Sequence, residues 1–447
     1  MRYHPHTEED VSKALQTIGV GSIEELFDDL PRELRDPEMD LPRGMDEVAL
    51  LDHLRSLAAK NSMSGPDFLG GGVRRHFIPS VTPHLALQSE FVTAYTPYQP
   101  EVSQGILQAT FEYQTMMCEL TGLDVSNASM YDGATATAEA ALLAVRQTRR
   151  ERVMVSRGVH PETRAVLATY LHPLGVTLDV VDLDPLTTPR LFVPEDVAGV
   201  VVQQPNFLGY IEEMTALTAA THAAGALMIA VVDPLSLALL APPGAYGADV
   251  AVGDGQTLGN PANFGGPSFG FMVVKEELLR QFPGRIVGQT TDVDGKRAFV
   301  LTLQAREQHI RRSRAKSNIC TNHQLAALMA TVNVGALGPQ GLREVATGSV
   351  ERAHTLATRL EAAGLAPHTA ARYFSEFVLP VAMDAAAVRS ELARRGIHAG
   401  VPVPAEYGLG DAVLLSATER VRDEDITALA TALAEIGAAR AREVAHG

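Results

Sequence analysis

The feature that most restricts the fold is an alternation between residues 125 and 275. Short apolar runs recur there: "RVMVS" (152–156), "TLDVVDL" (177–183), "AGVVVQQ" (198–204), "LMIAVV" (227–232), "DVAVG" (249–253) and "FGFMVV" (269–274). Helical stretches such as "HPETRAVLATYLHPLG" and "EMTALTAATHAAGA" lie between several of them. A strand that is apolar along its whole length has no face to show water. Continuous apolar strands alternating with helices therefore predict a mostly parallel sheet covered on both sides. At 447 residues the chain is too long for one simple core, and two lobes or one large domain with appendages are expected.

The flanks read differently. Residues 7–60 predict a helical arm. Thr7 caps "EEDVSKALQTI", Ser22 and Glu25 make a capping box for "IEELFDDL", and "DEVALLDHLRSLAAKN" is a third amphipathic piece. After residue 320, "NHQLAALMATVNVGALGPQGLREVA" leads as a helix into a smaller lobe. That lobe holds the strands "EFVLPV" and "VLLSATE" and the closing helix "DEDITALATALAEIG". The expected division is an arm over 1–65, a large domain over 66–325 and a small C-terminal α/β domain over 326–447. Between arm and sheet, "YTPYQPEVSQGILQATFEYQTMMCELTGLD" predicts a helix opening at Pro100 and Glu101 and stopped by Gly122. Val102, Ile106, Ala109, Tyr113, Met116 and Leu120 form its apolar stripe. The stiff polar connector ahead of it, with Tyr95, Thr96, Tyr98, Gln99 and Glu101, is a poor core element and a good wall for a neighbouring site.

Composition removes several function classes. A net charge of −16 opposes nucleic acid and anionic membrane surfaces, both of which ask for a basic face. No run of 18 apolar residues suggests a membrane span, and the N-terminus lacks a signal-peptide core. Two cysteines, Cys118 and Cys320, cannot build a disulfide framework, so reduced thiols and a cytoplasmic location are expected. His4, His6, His76, His84, His160 and His172 lack ligand spacing with Cys or carboxylates, so no metal site is expected. "FLGGGVRRHF" (68–77) is glycine-rich but follows no strand, which rules out a dinucleotide fingerprint.

Two places in the α/β core carry chemistry. "NASMYDGATATAEA" sets Ser129 and Asp132 at the mouth of an Ala-rich helix, where free N–H groups would cradle a phosphate. Asp132 already satisfies those groups and would repel a dianion. Asp233 ends the strand "LMIAVV". In pyridoxal-phosphate (PLP) enzymes of the aspartate-aminotransferase fold, an Asp in this place pairs with the pyridinium nitrogen. That fold then needs a lysine, 20–30 residues on, to hold PLP as a Schiff base. Here the loop after the next strand, "GDGQTLGNPANFGGPSFG", contains Gln256, Gly265, Gly266 and Pro267 but no lysine. Lys275 lies past a strand that carries it roughly 20 Å to the other edge of the sheet. The chain is not expected to bind PLP covalently.

Together, "YTPYQPEVSQG", "NASMYDGATATAEA", "GDGQTLGNPANFGGPSFG", "SNICTNHQL" and "EEDVSKALQTIGVGSIEELFDDLP" resemble the glycine-cleavage P-protein, glycine dehydrogenase (decarboxylating). The likeness runs through nearly the whole chain. It fits the lysine-less subunit of the two-subunit bacterial form or the amino-terminal half of the single-chain form. It implies PLP-dependent transferase fold type I. It also implies a PLP-carrying partner subunit in an α2β2 assembly, glycine as substrate, and transfer of an aminomethyl group to the lipoyl arm of the H-protein. Active sites of that fold lie at a dimer interface. Tyr95, Thr96, Tyr98, Gln99, Glu101, Gly265 and Gly266 are then the groups expected to be lent to the partner's site. Ser129, Asp132, Asp233 and Gln256 would mark a vestigial cofactor site. A scaffold that lends nothing, or a self-sufficient aminotransferase, remains as an alternative.

Overall fold

The protein is described by a computed structural model covering residues 5–35, 37–61 and 65–446; His4 lies outside them. Contacts divide the chain into a unit of residues 1–64 and a unit of residues 65–447. In the first, α1 (Glu8–Ile18) opens on a reciprocal cap. The Thr7 hydroxyl accepts from the Asp10 amide at 3.2 Å, and the Asp10 carboxylate accepts from the Thr7 amide at 2.8 Å. Gly19, at φ 90°, ends it. α2 (Glu47–Ala58) is capped by Asp46. Ser22 does accept from the Glu25 amide at 3.3 Å, but only the 3₁₀ turn Glu24–Phe27 follows. Pro31 disfavours helical backbone at Leu30 and so ends the segment early.

In the second unit, two short helices, Val81–Ala86 and Ser89–Val92, precede the long helix α3 (Gln104–Thr121), which is ended by Gly122 at φ 66°. Pro100–Val102 is a separate 3₁₀ turn, so the helix starts later than Pro100. Its buried face is also turned from the expected stripe. Leu107, Thr110, Tyr113, Gln114, Met117 and Thr121 are buried, whereas Val102 is 79% exposed. The reason is what the helix covers. The Gln104 side chain pairs with both the N–H and the C=O of Phe299, and Gln114 does the same for Val287. Those residues belong to a hairpin, β8 (Ile286–Thr291) and β9 (Arg297–Thr302), that the strand pattern does not predict. An edge hairpin shows unpaired backbone groups, and amides answer it better than apolar side chains do.

The expected sheet is present. It has seven strands in the order β1-β7-β6-β5-β4-β2-β3. They are β1 (Val125–Ser126), β2 (Arg152–Ser156), β3 (Thr177–Val181), β4 (Val197–Gln204), β5 (Leu227–Val232), β6 (Val250–Asp254) and β7 (Gly270–Val274). β2 through β6 pair in parallel; β7 runs antiparallel between β1 and β6. Crossovers are made by α4 (Gly133–Thr148), α5 (Pro161–Leu171) and α6 (Met214–Ala223). Because β7 reverses, Lys275 emerges at the far end of the sheet, where its Nζ meets Asp249 Oδ1 at 2.5 Å.

α7 (Gln324–Ala362) leads to the small sheet, broken by Gly338 at φ 62° just before Pro339. By length and apolarity α7 could cross a membrane, yet its Ala327, Ala330, Leu342 and Ala346 pack in the same core as β4 and β5. The small sheet is antiparallel: β10 (Glu376–Pro380), β11 (Val401–Pro402) and β12 (Ala412–Ser416), in the order β10-β12-β11. It packs with α8 (Ala385–Arg394) and α9 (Asp423–His446).

Candidate functional site

A cavity of about 350 Å³ opens at the carboxyl ends of β4, β5 and β6, where open α/β sheets bind ligands. Asp132, Asp233, Gln256, Gly265 and Gly266 line it. Ser129 does not. It is buried with its backbone at φ 118°, and its hydroxyl accepts from Asn322 Nδ2 at 2.9 Å.

Asp233 follows β5 as expected, but its carboxylate is fully engaged. Arg74 Nη1 donates to Oδ2 at 3.0 Å, while the Thr257 hydroxyl and the Leu235 amide donate to Oδ1 at 2.8 and 3.1 Å. Arg74 Nη2 also binds Glu376 on β10. All three charged side chains are buried, at 12%, 10% and 3% exposure for Arg74, Asp233 and Glu376. Burial works against the Arg74 charge, but Glu376 and Asp233 outweigh it and hold the guanidinium firmly protonated. Gln256 fixes the main chain of Arg74, accepting from its N–H at 3.0 Å and donating to its carbonyl at 2.9 Å.

The glycines of "FLGGGVRRHF" serve this arrangement. A Cβ at Gly70 would lie 1.9 Å from Glu376 Oε1, and Gly71 and Gly72 adopt φ 75° and 123°. The backbone passes too close and too sharply for any other residue. Sequence reasoning weighed this segment only as a dinucleotide fingerprint and missed its arginine. Arg74 and Glu376 are 302 residues apart, so no local pattern joins them.

At the start of α4, Asp132 caps the helix by accepting from the Thr135 amide at 2.8 Å. Asp254, at the end of β6, accepts from the Gly133 amide at 3.4 Å, the Gln256 amide at 3.0 Å and the Ser268 hydroxyl at 2.7 Å. Burial nevertheless dominates and raises the Asp254 carboxyl above its ordinary range. His160 closes another wall, its Nε2 2.8 Å from the Gly71 carbonyl oxygen.

The 95–101 connector is not part of this cavity. Tyr95 and Tyr98 are 81% and 51% exposed. Arg285 lies over the Tyr98 ring, 5.5 Å from its centroid, and Nη2 donates to the Tyr98 hydroxyl at 3.2 Å. Arg285 also binds the Cys320 carbonyl, and the Cys320 amide donates to the Tyr131 hydroxyl at 3.1 Å. The connector is thus tied to the "SNICTN" segment and to the loop ahead of α4.

Sheet order, strand-end Asp and the loop behind β6 define a chain of PLP-dependent transferase fold type I. Structures that share this fold include a sphingosine-1-phosphate lyase of Burkholderia pseudomallei (TM-score 0.65, 17% identity) and a Thermus thermophilus aspartate aminotransferase (TM-score 0.56, 18% identity). Within that class the chain belongs to the glycine cleavage system P-protein family, whose sequence profile matches residues 1–433. It is 52% identical over 440 residues to the probable glycine dehydrogenase (decarboxylating) subunit 1 of Moorella thermoacetica, covering 97% of this chain and 99% of that one. A Thermotoga maritima protein of the same description is 49% identical over 438 residues, covering 96% of this chain and 99% of that one. The crystal structure of a glycine decarboxylase (P-protein) of the glycine cleavage system, in inhibitor-bound form, superposes with a TM-score of 0.91 at 56% identity, covering 98% of this chain and all of that one.

The residues present here do not fit PLP. The cofactor's ring nitrogen would meet Asp233, which Arg74 and Thr257 already occupy. Its phosphate would meet two carboxylates at the start of α4. No lysine stands among the residues that line the cavity.

Proposed function

We propose that this chain works as the subunit of the glycine cleavage P-protein that holds no cofactor of its own and completes the active site of a PLP-carrying partner subunit. In that assembly, an α2β2 tetramer in the cytoplasm, glycine is decarboxylated and its aminomethyl group passes to the lipoyl arm of the H-protein. PLP on the partner supplies the electron sink for decarboxylation. This chain supplies wall and hydrogen-bonding groups: Tyr95, Thr96, Tyr98 and Gln99 on the connector, Glu101 as an acceptor, and the Gly265–Gly266 turn as wall, since both of its amides already donate to the carbonyls of Ala262 and Asn263.

One observation supports this most. The chain's own cofactor place is filled, while Tyr98 is half exposed and held by Arg285. Buried Pro97 and the turn at Pro100 stiffen its backbone. A hydroxyl held this way can meet an anionic group across an interface with little entropy loss.

The test is Tyr98→Phe in the reconstituted complex, read by glycine–CO2 exchange beside gel filtration. Losing one hydrogen bond to a charged group costs about 1.5–3 kcal/mol, roughly ten- to a hundredfold in rate. Slower exchange with intact assembly is expected. Normal exchange with normal assembly would leave the chain as a scaffold that lends nothing from this loop.

A further inference from the structure

We infer that Arg74, Asp132 and Asp254 stand in for the charges of the absent cofactor, so that the missing lysine is not what keeps PLP out of this chain. PLP brings a phosphate anion and a ring nitrogen that is cationic when paired with an aspartate. In this fold the anion belongs at a helix N-terminus and the cation beside the strand-end Asp. The chain places groups of the same sign in the same two places. Two carboxylates take the amides of Gly133 and Thr135 at the start of α4. A guanidinium takes Asp233 at the end of β5.

Both substitutions are built in. Gln256 grips the backbone of Arg74 on both sides, so the guanidinium is delivered by main-chain geometry as well as by charge. Its second arm reaches Glu376 and joins β10 to β5 across the cavity. The Thr257 hydroxyl covers the other oxygen of Asp233, which places the Thr257 side chain of the β6–β7 loop against the strand-end carboxylate in the cavity wall. Restoring a lysine at 257 would restore a nucleophile and leave both charges where they are. PLP would then set its phosphate against Asp132 and Asp254 and its ring against Arg74, like charge against like.

The experiment compares the full-length chain, Thr257→Lys, and Thr257→Lys combined with Arg74→Ala, Asp132→Ser and Asp254→Asn. Serine at 132 keeps an N-cap without the charge. Each is titrated with PLP and followed by its absorbance. Borohydride and peptide mapping then locate any adduct in which the introduced amine has condensed with the PLP aldehyde and lost water. Circular dichroism checks folding, and the parent chain, with its five native lysines, sets the background. The expected result is no saturable binding by Thr257→Lys and binding at least a hundredfold tighter by the fourfold variant. A stoichiometric adduct on Thr257→Lys alone overturns the inference. So does a folded fourfold variant that still binds nothing. Should the fourfold chain fail to fold, the single variant decides in either direction, and Asp132→Ser/Asp254→Asn is titrated with inorganic phosphate. Thermal stabilisation by phosphate in that pair, absent in the parent, is expected; no stabilisation counts against the surrogate role of the carboxylates. The inference uses no partner subunit, so it fails or holds separately from the lending of Tyr98.

Discussion

Arg74 is the residue on which the buried polar centre depends. Removing it leaves Asp233 and Glu376 as buried carboxylates facing one another with no cation, and breaking such a pair costs about 3–5 kcal/mol. Arg74→Met should therefore lower urea-unfolding stability by that order. Arg74→Met with Asp233→Asn and Glu376→Gln should recover much of it, since no lone charge then remains buried. Glu212 makes a separate pH-dependent contribution. Burial, foremost, pushes its carboxyl up from 4.5 to about 7, against hydrogen bonds from Asn206 and Thr188. A raised carboxyl keeps a proton in the folded state that the unfolded chain gives up. Its contribution to stability is complete below about pH 4.5 and is lost as the pH rises through about 7. The size is about 3 kcal/mol. Stability measured at pH 5 and at pH 8 should differ less in Glu212→Gln than in the parent, by about that amount.

At the scale of elements, α3 shows how a helix face is chosen by its neighbour. A hydropathy pattern points Val102, Ile106, Ala109, Met116 and Leu120 inward with Tyr113; the structure shares only Tyr113 among its fully buried residues. Gln114 sits at the centre of the observed face with both amide atoms on the backbone of Val287. Gln114→Leu adds apolar volume to a buried site and yet should destabilise the protein by about 1–3 kcal/mol. It strands a buried N–H and a buried C=O at the start of β8. Thermal melts of Gln114→Leu and Gln114→Glu are compared, since glutamate keeps the acceptor for the Val287 N–H but replaces the donor with a buried carboxylate oxygen. A Gln114→Leu variant as stable as the parent would show that water reaches the hairpin edge and satisfies it.

For the whole molecule, large apolar side chains remain at the surface. Val102, Phe264 and Phe192 are 79%, 79% and 87% exposed, and Tyr95 is 81% exposed. Such exposure suits a chain that completes its burial against another, through an obligate interface of roughly 2,000–5,000 Å². The expectation is that adding the PLP-carrying partner raises the melting temperature in a concentration-dependent way. By mass action the gain reaches about 2.7 kcal/mol at a hundredfold excess over the dissociation constant. A melting temperature that does not move with partner concentration, in a chain that runs as a stable monomer, would remove the proposed assembly.

The sequence by itself determined the α/β sheet, because strand apolarity and helix spacing are local and periodic. It determined that no lysine stands in the loop between β6 and β7 and that Asp132 caps a helix, because both are matters of which residue stands where. It placed Asp233 at a strand end, and the structure keeps it there. Tertiary structure alone decided what Asp233 holds. Arg74 arrives from 159 residues away, and Glu376 from the small lobe, through contacts with no sequence period. Tertiary structure also decided which face of α3 is buried and set the 95–101 connector apart from the cavity, because both depend on what packs against them. Periodicity reports the secondary structure a segment prefers; burial and charge pairing report its neighbours, and those are fixed only when distant segments meet.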